Sequence, residues 1–386
     1  MKNWESVKLG DLYEVHNGLS KGGKFFGGGY PFLTFSTVFN NYFLPEELTD
    51  FVQSTEKERE SYSILRGDVF VTRTSETSDE LGMSCVALKD YPNATYNGFT
   101  KRMRPITDRV LPEYIGYYMR MPSFRGEFQA FSTMTTRASL KNEDLLSLEV
   151  KLPEIDEQRK IAGILSTYDA LILNNQKQIK LLEEAAQRLY KEWFVDFRFL
   201  GYENMEIDNG IPTGWHMGTL GEIVEFRRGK TITKAQVKDG NVPVVAGGLE
   251  PAYYHNEANT KAPVITVSGS GANAGFSRMY HKDVFASDCS FADIQVTKYI
   301  SFVYCFLKAN KYQLDALQKG SAQPHVYAKD INAMEMLIPQ SELITHYCAK
   351  ADVLFNKIGL LQKQMSAASE ARDRLLPQLM LGEIEL

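Results

Sequence analysis

The sequence predicts an α+β fold made twice over. A mixed globular domain and a long helix are followed by a second such pair, and the two helices join as an antiparallel coiled coil about a pseudo-two-fold axis. Three observations lead there. The chain repeats its own local strings. Two stretches carry a sustained heptad seam. The segments between them alternate short β-branched runs with glycine-rich turns.

The repeat comes first, because overlooking one misassigns a whole fold. Trp4-Glu-Ser-Val-Lys-Leu9-Gly10-Asp11-Leu12 returns as Trp215-His-Met-Gly-Thr-Leu220-Gly221-Glu222-Ile223, 211 residues later. Asp144-Leu145…Leu152-Pro153 returns as Asp330-Ile331…Ile338-Pro339 at an offset of 186, which also aligns Leu189 with Leu375. The second globular segment is therefore 25 residues shorter than the first. Two copies make a duplication, not a solenoid.

The helices carry the clearest physical signal. One seam runs Leu165, Tyr168, Ile172, Asn175, Ile179, Leu182, Ala186, Leu189, Trp193. Its copy runs Ala351, Leu354, Ile358, Leu361, Met365, Ala368, Arg372, Leu375, Leu379. Steps of three and four are the a/d spacing of a coiled coil. Arg372 at an a position is expected to weaken the packing there. The first helix is expected to end near Phe199-Leu200-Gly201, where glycine can cap it. Roughly 35 residues give about 50 Å of helix. A lone helix of this kind leaves its seam wet, so the copies are natural partners, antiparallel if a perpendicular two-fold relates them. The alternative is that each helix packs on its own domain as an ordinary core helix.

The globular segments, roughly 1–150 and 213–338, read as mixed. Strand-like runs are Pro31–Phe35, Asp68–Thr72, Val242–Val245 and Pro263–Val267, and helix-like stretches are Leu111–Gln129 and Tyr299–Gln318.

Composition narrows the function classes. With 386 residues, 44% hydrophobic and 24% charged, the chain is ordinary globular matter and not disordered, collagenous or disulfide-stapled. Cys85, Cys289, Cys305 and Cys348 form no CxxC pair and read as reduced thiols of a cytoplasmic protein. No apolar leader opens the sequence and no run of 18 apolar residues crosses a membrane. A net charge of −5 argues mildly against nucleic-acid binding, unless charge is segregated by surface.

Catalytic motifs are hard to find. The Asn/Asp-Pro-Pro-aromatic string of a DNA amino-methyltransferase is missing. Phe25-Phe-Gly-Gly-Gly29 leads into Pro31, not a helix. Gly229-Lys230-Thr231 lacks the upstream P-loop glycine, since Val224 stands there. The acids of Glu154-Ile-Asp156-Glu157 sit at a helix start, which their charge favours. The six histidines suggest no metal set. No catalytic residue and no metal ligand is assigned.

Polar and basic loops remain, at matching places in both copies. In the first they hold Lys21, Lys24, Arg73, Thr74, Ser75, Lys101, Arg102 and Arg137. In the second they hold Arg227, Arg228, Lys230, Ser268, Ser270, Asn273, Lys319, Gln323 and His325. Arginine grips guanine bidentately, and Asn or Gln grips adenine. Lysine, hydroxyls and backbone N–H groups hold phosphates.

Several strings resemble the specificity subunit of type I restriction–modification systems. They are Trp-x₄-Leu-Gly-Asp/Glu at Trp4 and Trp215, Gly67-Asp68-Val-Phe-Val-Thr-Arg73-Thr, and Leu152-Pro…Glu157-Gln-Arg-Lys-Ile-Ala162. Trp193-Phe-Val-Asp-Phe197 and Leu376-Pro377-Gln-Leu-Met380-x-Gly382-Glu383-Ile384 complete the set. Their order spans essentially the whole chain. The second copy departs from the pattern: it lacks Glu-Gln-Arg-Lys, and Ser268-Gly-Ser-Gly carries no arginine where the first has Arg73.

The resemblance implies target recognition domains at 1–152 and 213–338, helical regions at 153–200 and 339–386, and a linker at 201–212. Each domain would read half of a bipartite, asymmetric site in double-stranded DNA. The helices would set the spacer and dock two methylation subunits, with restriction subunits joining that core. S-adenosylmethionine, ATP and Mg2+ would sit on those partners and none in this non-catalytic chain. The competing reading is a self-contained DNA-modifying enzyme with an atypical active site, and a third is a coiled-coil adaptor.

Overall fold

The computed structural model describes residues 4–75, 80–130, 138–208, 210–320 and 323–386. The chain divides into two compact units, Met1–Ile172 with Ala367–Leu386, and Leu173–Ser366.

In the first unit, strands Tyr13–Asn17, Thr100–Pro105, Val69–Thr72 and Ser84–Val86 form an antiparallel sheet in that order. A three-stranded sheet places Phe26–Leu33 between Phe51–Val52 and a parallel Thr95–Tyr96. Glu5–Lys8 pairs with Glu149–Leu152. The second unit repeats this sheet for sheet. Arg227–Arg228, Cys289–Asp293, Val264–Ser268 and Ser277–Tyr280 form the four-stranded sheet. Val242–Val245 lies between Tyr253–His255 and a parallel Phe285–Ala286. His216–Thr219 pairs with Glu335–Ile338.

The central strands are the β-branched runs seen in the sequence. Val69–Thr72 and Val264–Ser268 are buried at every position, as strands covered on both faces must be. Other expectations shift. The run at Pro31–Phe35 ends as a strand at Leu33, because Thr34 accepts a hydrogen bond from Thr37 N–H and caps a helix Phe35–Asn40. Each long helix-like stretch breaks in two. The first gives Pro112–Tyr118 and Pro122–Ala130, and the second gives Ile300–Ala309 and Lys311–Ala316. Pro122 cannot donate into a preceding turn, so it opens a new helix.

The two long helices run Ile155–Phe194 and Ser341–Met380, 40 residues each, or about 60 Å at 1.5 Å per residue. The first stops at Phe194, short of the expected glycine cap. Val195 and Asp196 N–H both donate to Lys191 O, and Phe197 takes φ 56°. That left-handed conformation costs a non-glycine residue about 1–2 kcal/mol, and the Phe197 ring packs edge-on against Trp215 at 5.4 Å.

Each unit contains an antiparallel stretch of the helix pair. In the first, Ile161 and Leu165 share a core with Leu376, Leu379 and Met380, and Asp169 meets Arg372. In the second, Asn175 donates to Gln364 (3.0 Å) and Tyr347 donates to Ala186 O (3.4 Å), so one helix descends as the other rises. The residues named for the seam differ in burial. Leu165, Ile358, Leu361 and Leu379 are buried. Ile172, Ile179, Leu182, Leu189, Leu354 and Leu375 are half-buried. Phe355 and Leu376, one position on from Leu354 and Leu375, are the buried members of those turns. Gly359 lies inside the second helix at a point where a Cβ would come within 2.8 Å of His281.

All four cysteines are buried and free, and burial pushes each thiol up to about 12. Among the described residues, no helix is long and apolar enough to cross a membrane.

Candidate nucleic-acid interface

Sheet register brings the two units into correspondence at one end of each four-stranded sheet. In the first, Lys101 lies opposite both Asn17 and Val71, and Thr100 opposite Thr72. In the second, Ser290 lies opposite both Arg228 and Val267, and Cys289 opposite Ser268. The turns match as well. Arg73 N–H donates to Phe99 O (3.0 Å), as Gly269 N–H does to Asp288 O (3.2 Å). Gly18 N–H donates to Thr100 O (3.3 Å), as Gly229 N–H does to Cys289 O (2.8 Å). Only glycine fits at those last two donors. A Cβ on Gly18 would come within 2.0 Å of Asn97 O, and one on Gly229 within 2.3 Å of Ser287 O.

The frame is common, but its side chains differ. Asn17, Arg73, Phe99 and Lys101 fill it in the first unit. Arg228, Gly269, Asp288 and Ser290 fill it in the second. Arg73 Nη1 donates to Asn17 Oδ1 (3.2 Å), while its Nε is buried without a partner among the described residues. Lys101 is 5% exposed and donates to Asn142. Burial, then the charge of Arg73, pushes its pKa down. The cluster is therefore a dense, partly desolvated cationic site, suited to charge-assisted hydrogen bonds. In the second unit Ser270 donates to Asp288. Arg228, Asp288, Ser290, His325 and Tyr327 line one small surface pocket.

The other expected residues divide into free and engaged groups. Lys24 is exposed, with its ammonium 5.1 Å from the Phe25 ring centre. Lys21 pairs with Glu58 at 2.7 Å, and that hydrogen bond holds the Glu58 carboxyl below its usual value. Thr74 and Ser75 form a short strand paired with Ala138–Ser139. Arg137 lies outside the described residues. Arg227, Arg228, Lys230 and Gln323 are exposed, with Arg227 3.2 Å from Glu225. Lys319 pairs with Asp330 at 2.8 Å. Its backbone bonds to that of His325, whose ring stacks on Tyr327 at 6.0 Å. Asn273 is half-buried in a short 3₁₀ turn.

Two expectations require correction. Arg102 is 3% exposed, and donates to Ser63 O (2.8 Å) beneath the Tyr96 ring. The two-residue period of its strand turns Arg102 inward with Arg104, which salt-bridges the fully buried Asp68 at 2.6 Å. Ser268 is also 3% exposed, and donates to Gly247 O. Both are structural groups.

Asn17, Phe99, Asp288 and Ser290 were not singled out in the sequence. The 211-residue offset could have found Asn17, because it falls on Arg228. The others become visible only through sheet register.

Residues 1–184 and 212–349 match the family model described as type I restriction modification DNA specificity domain. The chain is similar to the type I restriction enzyme MjaIX specificity subunit of Methanocaldococcus jannaschii, 26% identical across all of this chain and 94% of that one. It is also similar to the HindI specificity subunit of Haemophilus influenzae, 22% identical across the whole of both chains. Among solved structures, the type I restriction–modification S subunit from M. genitalium shares the fold. Its TM-score is 0.58 at 18% identity, covering 98% of this chain and 96% of that one.

Proposed function

The chain belongs to the type I restriction–modification DNA specificity family, and on that premise we propose that it is a non-catalytic reader of a bipartite, asymmetric DNA site. Each unit reads one half. The long helices fix the unread spacer and dock two methylation subunits, and restriction subunits join that core. S-adenosylmethionine chemistry belongs to the methylation subunits, with ATP and Mg2+ on the partners.

One observation carries this reading: the same strand-end frame occurs in both units with different side chains on it. A common frame presents both units to a duplex in the same manner, and different donors then select different bases. The products are two unlike half-sites. A helix of about 60 Å exceeds the 34–36 Å of one DNA turn, so it is long enough to span two groove sites. The net charge of −5 fits a subunit that supplies base contacts while its partners supply much of the phosphate grip.

The test is methylome sequencing of cells making this chain with its matching methylation subunit. A split adenine-methylation motif, half of which changes when residues 1–150 are exchanged, is the expected outcome. An assembled complex that leaves no bipartite motif overturns the reading.

A further inference from the structure

Phe99 and Asp288 occupy the same station, one residue before the strand that anchors each frame. In the first unit the backbone there is held from three sides. Phe99 N–H donates to Asn97 Oδ1 (2.7 Å), Phe99 O accepts from Arg73 N–H, and Gly98 N–H donates to Leu19 O (2.8 Å). On this fixed turn the Phe99 ring is 57% exposed. An exposed apolar side chain alone means little. This one stands beside Arg73 and Asn17, a cation and an amide whose side chains bond each other and suit a polyanion. In the second unit the station carries a carboxylate, placed by the Ser270 hydroxyl in a pocket that Arg228 also lines.

We propose that Phe99 and Asp288 are specificity-determining residues, one for each half-site. Phe99 makes an apolar contact with a base beside the one held by Arg73. Asp288 accepts a hydrogen bond from a base amino group, the role that carboxylates serve toward cytosine. The assignment rests on the half-site reading above. It adds that the station selects one base of each half-site, beside those held by the basic residues around it.

The experiment uses full-length Phe99→Ala, Phe99→Leu and Asp288→Asn chains with the matching methylation subunit. Methylation motifs are read genome-wide, and thermal melting checks that each variant folds. Phe99→Ala should lower discrimination about tenfold or more at one position of one half-site, with Phe99→Leu intermediate. Asp288→Asn should do the same in the other half only. Tyr312→Ala removes an aromatic that is 87% exposed outside both frames, and should leave the motif unchanged. Folded variants with the parental motif overturn the proposal, as does a single variant that relaxes both halves. If the unsubstituted chain yields no bipartite motif, the half-site reading itself has failed and the proposal falls with it.

Discussion

The two units hold the helix pair by different chemistry at equivalent points. At the offset of 186, Asp169 falls on Phe355 and Ala186 on Arg372. In the first unit Arg372 salt-bridges Asp169, Tyr117 hydroxyl donates to the same carboxylate, and the Tyr42 ring lies 4.8 Å from the guanidinium. In the second unit Phe355 meets the Tyr304 ring at 5.7 Å, while Tyr347 sits among Tyr190, Trp193, Phe194 and Phe302. An arginine that should weaken an apolar seam is instead matched by an acid on the facing helix. A duplicated scaffold keeps its backbone plan while its contacts diverge. A half-buried cation is tolerated in the first unit because an acid faces it.

Substitutions in both units test this contrast. Tyr347→Ala should cost about 3–5 kcal/mol in chemical denaturation, because it empties an aromatic cluster that has no room to collapse. A loss below about 1 kcal/mol would mean that the cluster is not what holds the second unit's helices.

Arg372→Ala should cost less, about 1–3 kcal/mol, by leaving the Asp169 carboxylate without its cation. Replacing Asp169 and Arg372 together by leucine should cost less than the two single changes added, since no charge is then stranded. Additive losses would show that the pair does not act as a unit.

At the frame the effect is expected on recognition and not on folding. Arg73→Ala should weaken discrimination at one half-site by about 1–3 kcal/mol in competition between duplexes altered in either half. Arg102→Ala should lower the melting temperature and leave the choice of bases alone. Were Arg102→Ala to relax a base position while the fold stayed intact, its assignment as a structural cation would be wrong.

Much of the fold was legible in residues alone. A heptad seam repeats at short range, so Leu165 through Leu379 announced the helices. The β-branched runs at Val69 and Val264 announced the central strands. The duplication showed because whole strings recur. The functional surface was less legible. Lys101 and Arg102 are neighbours in a basic string, and nothing in that string reveals that both are buried and hydrogen-bonded within the first unit. Phe99 looks like any loop aromatic until Arg73 N–H is seen to bond its carbonyl.

The doubled α+β plan and the long helices were readable along the chain, because they depend on periodicities of a few residues and on recurrence. Only the tertiary structure decided which polar side chains stand free at the sheet ends, that Asp169 would meet Arg372, and that Phe99 and Asp288 share a station. Those outcomes depend on register between elements far apart in the chain, and in a strand a one-residue shift turns every side chain to the other face.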